Sequence, residues 1–93
     1  MTVTPAQALA QVKAAIRSNG FAWPGGYPLY VVCEDGEALS VAAAHAEWRN
    51  VVWSTLHQQR DGWAVVGTDI NYEDAELYCA HTGERIESAY AEA

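Results

Sequence analysis

Apolar residues recur at Leu9, Val12 and Ile16, with Ala8 and Ala15 beside them, while Lys13 and Arg17 fall to the side of that stripe. Three- and four-residue spacing is the signature of one helical face. Thr4 can cap this helix, Pro5 suits its first position and Gln7 completes a T-x-x-Q box, while Asn19-Gly20 marks the stop. The pattern predicts a helix over residues 5–19. The stretch FAWPGGYP that follows holds two prolines and two adjacent glycines, so it reads as an extended or turning connection. Residues 29–33 form a β-branched and aromatic run that ends at Glu34-Asp35-Gly36-Glu37, where Asp-Gly suits a hairpin turn into Ala38-Leu39.

Ser40 is placed to cap a second helix, along which Val41, His45, Trp48, Val51 or Val52, and Thr55 or Leu56 recur at helical spacing. That helix should end near Arg60, with Gly62 as terminator. WAVVGTDI (63–70) reads as a strand, 71–76 as an acidic turn, 77–79 as a short strand, His81-Thr82-Gly83 as a tight turn, and 85–87 as a returning strand. The last connections are too short for a parallel crossover. The expectation is therefore an α+β domain, a small antiparallel sheet of three to four strands covered by two helices. A chain of 93 residues has room for one core, so 1–93 is read as a single domain with residues 1–3 and 91–93 frayed.

Composition narrows the function. Hydrophobic residues make up 51% of the chain, including four Trp and five Tyr, which is the composition of an ordered globule. Twelve acids against five bases give a formal charge of -7, which repels phosphate backbones and anionic lipid. The bases, Lys13, Arg17, Arg49, Arg60 and Arg85, are scattered, whereas acids gather at Glu34, Asp35 and Glu37, at Asp69, Glu73, Asp74 and Glu76, and at Glu84 and Glu87. Direct nucleic-acid and membrane partners are disfavoured, and a protein with a basic surface is favoured. The absence of a signal-like start or a long apolar run points to the cytoplasm, where Cys33 and Cys79 are expected as free thiols.

Candidate chemistry is sparse. Cys79 with His81 or His45 has the elements of a nucleophile and base, but a buried inert Cys is the better reading. His57 fits a helix-capping role better than that of a base. The acids at 69–76 lack the D-x-D-x-D-G spacing of a calcium loop and read as a solvated turn. No catalytic residue and no cofactor is expected. Trp48 shares the face of Val41 and Val52 and belongs to the core, whereas Trp53 lies off that stripe and Trp23 sits in the Pro-Gly connection. Such aromatics either anchor an interface or cover the domain's own core.

The segment DINYEDAELYCAHTGERIESAY, with Tyr27-Pro28-Leu29-Tyr30, Asp35-Gly36-Glu37 and residues 63–67, resembles a family of small proteins encoded by tailed bacteriophages and prophages. The resemblance covers most of the chain after Tyr27. It implies a zinc-ribbon or treble-clef-like knuckle built on two C-x-x-C pairs, whose positions here are Ser40, Ala43, Cys79 and Thr82. Three of the four thiolates are missing, so the knuckle is read as degenerate and metal-free. A rebuilt site from Cys33, His45, Cys79 and His81 has suitable ligand types at irregular spacing. The resemblance implies a host-cell cytoplasmic accessory protein, a monomer or small homo-oligomer, that binds a host or phage protein. Such a protein can inhibit a host defence or nucleic-acid-processing complex by imitating phosphate charge. A structural adaptor derived from a zinc ribbon and an enzyme with an unrecognised Cys/His site are the alternatives.

Overall fold

The computed structural model describes residues 4–22, 25–59 and 61–89. Trp23, Arg60 and both stretches expected to fray lie outside them. The elements run α1 (Pro5–Arg17), β1 (Phe21–Ala22), β2 (Tyr27–Cys33), β3 (Ala38–Leu39), α2 (Val41–Ala46), α3 (Trp48–Leu56) and β4 (Val65–Ile70). The class is α+β with an antiparallel sheet of four strands.

α1 starts as the sequence predicts. The Thr4 hydroxyl accepts the Gln7 N–H at 3.1 Å while the Gln7 side chain accepts the Thr4 N–H at 3.0 Å, a complete capping box. The helix stops two residues earlier than its pattern suggests because Asn19 takes a positive φ of 57° and the Gly20 N–H reaches back to the Ala15 carbonyl at 2.8 Å. The second helix is a correction. Its stripe is continuous, but Glu47 leaves the helical region (φ -109°, ψ 32°), so α2 and α3 are separate and three helices, not two, cover the sheet. The Glu47 carboxylate accepts from the Asn50 side chain at 2.8 Å across the break. α3 ends at Leu56, short of Arg60, with Gln58 at φ 52°.

β2 is the hub of the sheet. β1 pairs with its beginning (Phe21↔Pro28), β3 with its end (Val31↔Leu39, Val32↔Ala38) and β4 along most of its length, from Leu29↔Ile70 to Cys33↔Val65. β1 occupies residues read from sequence as connection only, since two residues carry too little periodicity to signal a strand. The Asp35-Gly36 hairpin is as expected, with Gly36 at φ 88° and the Cys33 N–H bonded to the Glu37 carbonyl at 2.9 Å. The expected strands at 77–79 and 85–87 reduce to one bridge, Tyr78↔Arg85, because this knuckle turns back on itself rather than joining the sheet as a strand.

The core lies between the helices and the sheet. Ala8 and Val12 of α1, Ala43 and Ala44 of α2 and Val51 of α3 meet Val31, Cys33, Leu39 and Val65 of the sheet, joined by Cys79 and Ile86 from the knuckle. Burial of this apolar surface is the main stabilising term. α1 lies close to β4: a Cβ on Gly67 would fall 2.5 Å from the Gln11 Oε1, so a side chain there would displace the Gln11 amide from the Thr68 N–H it accepts. Side chains also close the free edge of β4. The Val65 N–H donates to the Thr55 Oγ1 (3.0 Å), that of Thr68 to the Gln11 Oε1 (3.1 Å) and that of Ile70 to the Asp69 Oδ1 (2.8 Å). An edge whose donors are taken is a poor template for another strand. No helix among the described residues is long and apolar enough to cross a membrane.

Candidate protein-binding surface

The acidic segment 69–76 is organised by a residue the sequence reading passed over. Asn71 follows β4 and is only 3% exposed. Its side-chain amide donates to the carbonyls of Asp74 (3.1 Å), Glu87 (3.1 Å) and Ile86 (3.4 Å), and its Oδ1 accepts the Asp74 N–H at 3.1 Å. A buried amide with its donors and acceptor satisfied fixes the backbone around it. Asn71 thus ties the acidic loop to the C-terminal segment. The signal available in sequence was a polar, turn-forming residue directly after an apolar strand, which reads equally well as exposed turn.

The acids around Asn71 divide by role. Asp74 Oδ1 accepts the Glu76 N–H at 2.8 Å, and Asp69 Oδ1 accepts from Ile70, so both carboxylates hold local backbone. Glu73 and Glu76 are exposed, and the Tyr78 hydroxyl donates to the Glu76 carboxylate in a long 3.5 Å hydrogen bond. Tyrosines accompany them. Tyr72 and Tyr78 are each 49% exposed, and the Tyr72 ring lies 5.5 Å from that of Tyr27 at an interplanar angle of 58°. Burial raises the Tyr30 phenol above its ordinary value, and the Asp69 and Asp74 carboxylates raise it further, so these groups share one neighbourhood.

The second cluster sits on the β2–β3 turn. Asp35 Oδ1 accepts the Glu37 N–H at 3.0 Å and shapes the turn, leaving Glu34 and Glu37 exposed. In the sheet Asp69 is opposite Tyr30, and the chain then runs back along β2 until the Asn71 N–H meets the Pro28 carbonyl. Five residues of extended chain from Pro28 to Cys33, where the turn begins, span about 16 Å. The two clusters therefore mark opposite ends of β2 rather than one patch.

Trp53 is on the outer side of α3, 53% exposed, next to Leu56 at 55%. Its ring stacks on His57 with centroids 4.3 Å apart, and the His57 Nδ1 donates to the Trp53 carbonyl at 2.8 Å. The same carbonyl also accepts the His57 backbone N–H at 3.0 Å, so the ring adds a second bond to it at the end of the helix. Trp48 packs against the core from α3. The other aromatic singled out by sequence, Trp23, is among the residues not described.

The Cys and His residues do not assemble a metal centre. Among the described residues no group of three or more His, Cys, Asp or Glu side chains is placed to hold an ion. His45 is exposed beside Ile16, Asn19 and Val41, and His81 lies edge-on to Trp63, 4.6 Å between ring centroids. Cys33 and Cys79 are free thiols, both buried. Burial raises the Cys79 pKa, but hydrogen bonds from the Thr82 hydroxyl and from the backbone N–H groups of Ser40, Thr82 and His81 outweigh it and bring the thiol down to about 7. Cys33 is pushed up to about 12 by burial first, then by Asp35, Cys79 and Glu37. No protein-family model, curated protein or solved structure matches the chain significantly.

Proposed function

We propose that this chain is a small acidic binding protein whose loop 69–76 docks on a basic surface of a larger protein. The observation that carries the reading is the segment around Asn71, where the exposed carboxylates of Glu73 and Glu76 stand beside the exposed Tyr72 and Tyr78 on a backbone fixed by a buried amide. A rigid loop loses little conformational entropy on binding, and carboxylates with aromatic neighbours suit Lys and Arg side chains. The turn acids Glu34 and Glu37 extend the same electrostatic field to the other end of β2. Phage origin and inhibition of a host nucleic-acid-processing complex, through imitation of phosphate charge, belong to this proposal and rest on the net charge of -7 and the family resemblance.

The test is affinity capture from phage-infected bacterial lysate, run in parallel with wild-type protein and a Glu73→Lys/Glu76→Lys variant. The expected result is a basic protein retained by the wild type and lost with the variant. Identical retention by both would refute the loop as the contact surface.

A further inference from the structure

We infer that the cleft between turn 25–28 and the stretch 85–89 binds a short zwitterionic peptide, with Arg85 receiving its carboxylate and Glu87 its ammonium group. The cleft is open and has a volume of about 600 Å³. Sites for small molecules have volumes of ~300–1,000 Å³. Gly25, Gly26, Tyr27 and Pro28 line one side, and the stretch that carries Arg85 and Glu87 lines the other. One buried residue fixes both walls. The Asn71 N–H donates to the Pro28 carbonyl at 3.0 Å, the Asn71 carbonyl accepts the Ala89 N–H at 2.9 Å, and the Asn71 side-chain amide donates to the Glu87 carbonyl at 3.1 Å. Walls tied in place before a ligand arrives have little conformational freedom left to lose on binding.

The lining selects the ligand. The bridge Tyr78↔Arg85 holds the start of the second wall extended, and Ile86, between Arg85 and Glu87, is buried. Arg85 and Glu87 therefore share the outward side, and both are exposed. Residues two apart on an extended chain are separated by about 7 Å. Among the described residues no ion pair involves either side chain, so both charges are available. A guanidinium takes a carboxylate through two parallel N–H donors, and a carboxylate takes an ammonium group through charge-assisted hydrogen bonds. An extended dipeptide spans about 7 Å between its ends, the spacing of the two charges. Across the cleft the Tyr27 ring packs against Gly25, where a Cβ would fall 2.8 Å from it. Without side chains at Gly25 and Gly26, the peptide group of a ligand can approach the main chain closely.

Net charge disfavours simpler ligands. A protein of formal charge -7 repels a plain anion and draws a plain cation to its acids at 34–37 and 69–76. A zwitterion carries no net charge to be repelled or diverted, and the opposite charges of Arg85 and Glu87 select it.

Glycylglycine is the probe, added to isotope-labelled protein while the backbone amide resonances are followed. The expected result is saturable shifts of the Gly25, Gly26, Glu87 and Ser88 amides with a dissociation constant on the order of 1 mM. N-Acetylglycine, which keeps only the carboxylate, and glycinamide, which keeps only the ammonium group, should each bind at least about tenfold more weakly. Arg85→Gln and Glu87→Gln, both at exposed positions, should each raise the dissociation constant at least about fivefold and leave the melting temperature unchanged. Resonances of the cleft that stay in place up to about 20 mM glycylglycine overturn the inference. Equal affinity for the single-charge probes does the same, as does an affinity unmoved by both substitutions.

Discussion

At Cys79, burial and hydrogen bonding act on one sulfur in opposite directions. Removal from water favours the neutral thiol, while the Thr82 hydroxyl and three backbone N–H groups favour the thiolate and prevail, giving a value of about 7 against the ordinary 9.0. A pKa lower in the folded than in the unfolded chain contributes stability above the unfolded value, and that contribution is lost as pH falls through the folded one. Folding stability should therefore rise between pH 7 and 9 by up to about 3 kcal/mol. Cys33 has the opposite sign. Its value of about 12 lies above 9.0, so its contribution is present below pH 9 and declines from there toward 12. Urea unfolding of wild type and Cys79→Ala over pH 6 to 9 measures this. The wild-type slope should vanish in the variant, and a wild type flat across that window would show that Cys79 stays a thiol. The cysteine's residue type was legible in sequence, but its environment was not, because the N–H of Ser40 comes from a position 39 residues away along the chain.

Among the elements, legibility followed how local the determining interactions are. α1 was readable because its cap, its stripe and its stop lie within 17 residues, from Thr4 to Gly20. The β2–β3 hairpin was readable for the same reason. The break at Glu47 was hidden, since the apolar stripe runs through it unaltered, and the knuckle was over-read as strands because β-prone residues also serve in turns. What sequence could not show was the closing of the β4 edge by Thr55 and Gln11, which are 10 and 57 residues from the N–H groups they accept. Thr55 is 3% exposed, so Thr55→Val keeps the shape and orphans the Val65 N–H. It should lower stability by about 1–3 kcal/mol, read as a reduced urea midpoint with unchanged slope. An unchanged midpoint would mean that Val65 finds another acceptor. In the knuckle, Gly83 has φ 75° and open space around its Cβ position, so the cost of a side chain there is conformational rather than steric crowding. Gly83→Val should destabilise by about 1–2 kcal/mol, with Gly83→Asn recovering part of the loss because Asn tolerates this region better. Equal melting temperatures for Val, Asn and wild type would remove the backbone argument.

At the scale of the molecule, charge is distributed unevenly along the chain and then by the fold. All twelve acids lie from Glu34 onward, whereas the cations Lys13 and Arg17 are exposed on α1. The acidic composition was plain in sequence, but the placement of the acids at 34–37 and 69–76 toward opposite ends of β2 required the register of β2 with β4. The structure also separates carboxylates that hold backbone, those of Asp35, Asp69 and Asp74, from those free to meet a partner. Charge reversal is therefore best confined to Glu73 and Glu76, where it alters the surface field and leaves the Asn71 clamp in place. With a basic partner in hand, Glu73→Lys/Glu76→Lys should slow association by about tenfold at low salt and flatten its dependence on ionic strength, with dissociation changed far less. Tyr72→Ala should act on the other rate, speeding dissociation by an amount equivalent to about 1–2 kcal/mol without changing the salt slope, because an aromatic contact forms only after docking. Stopped-flow or surface-binding kinetics at several salt concentrations separates the two. An association rate that is independent of ionic strength, in wild type and variant alike, would exclude the acidic loop as the element that steers the encounter.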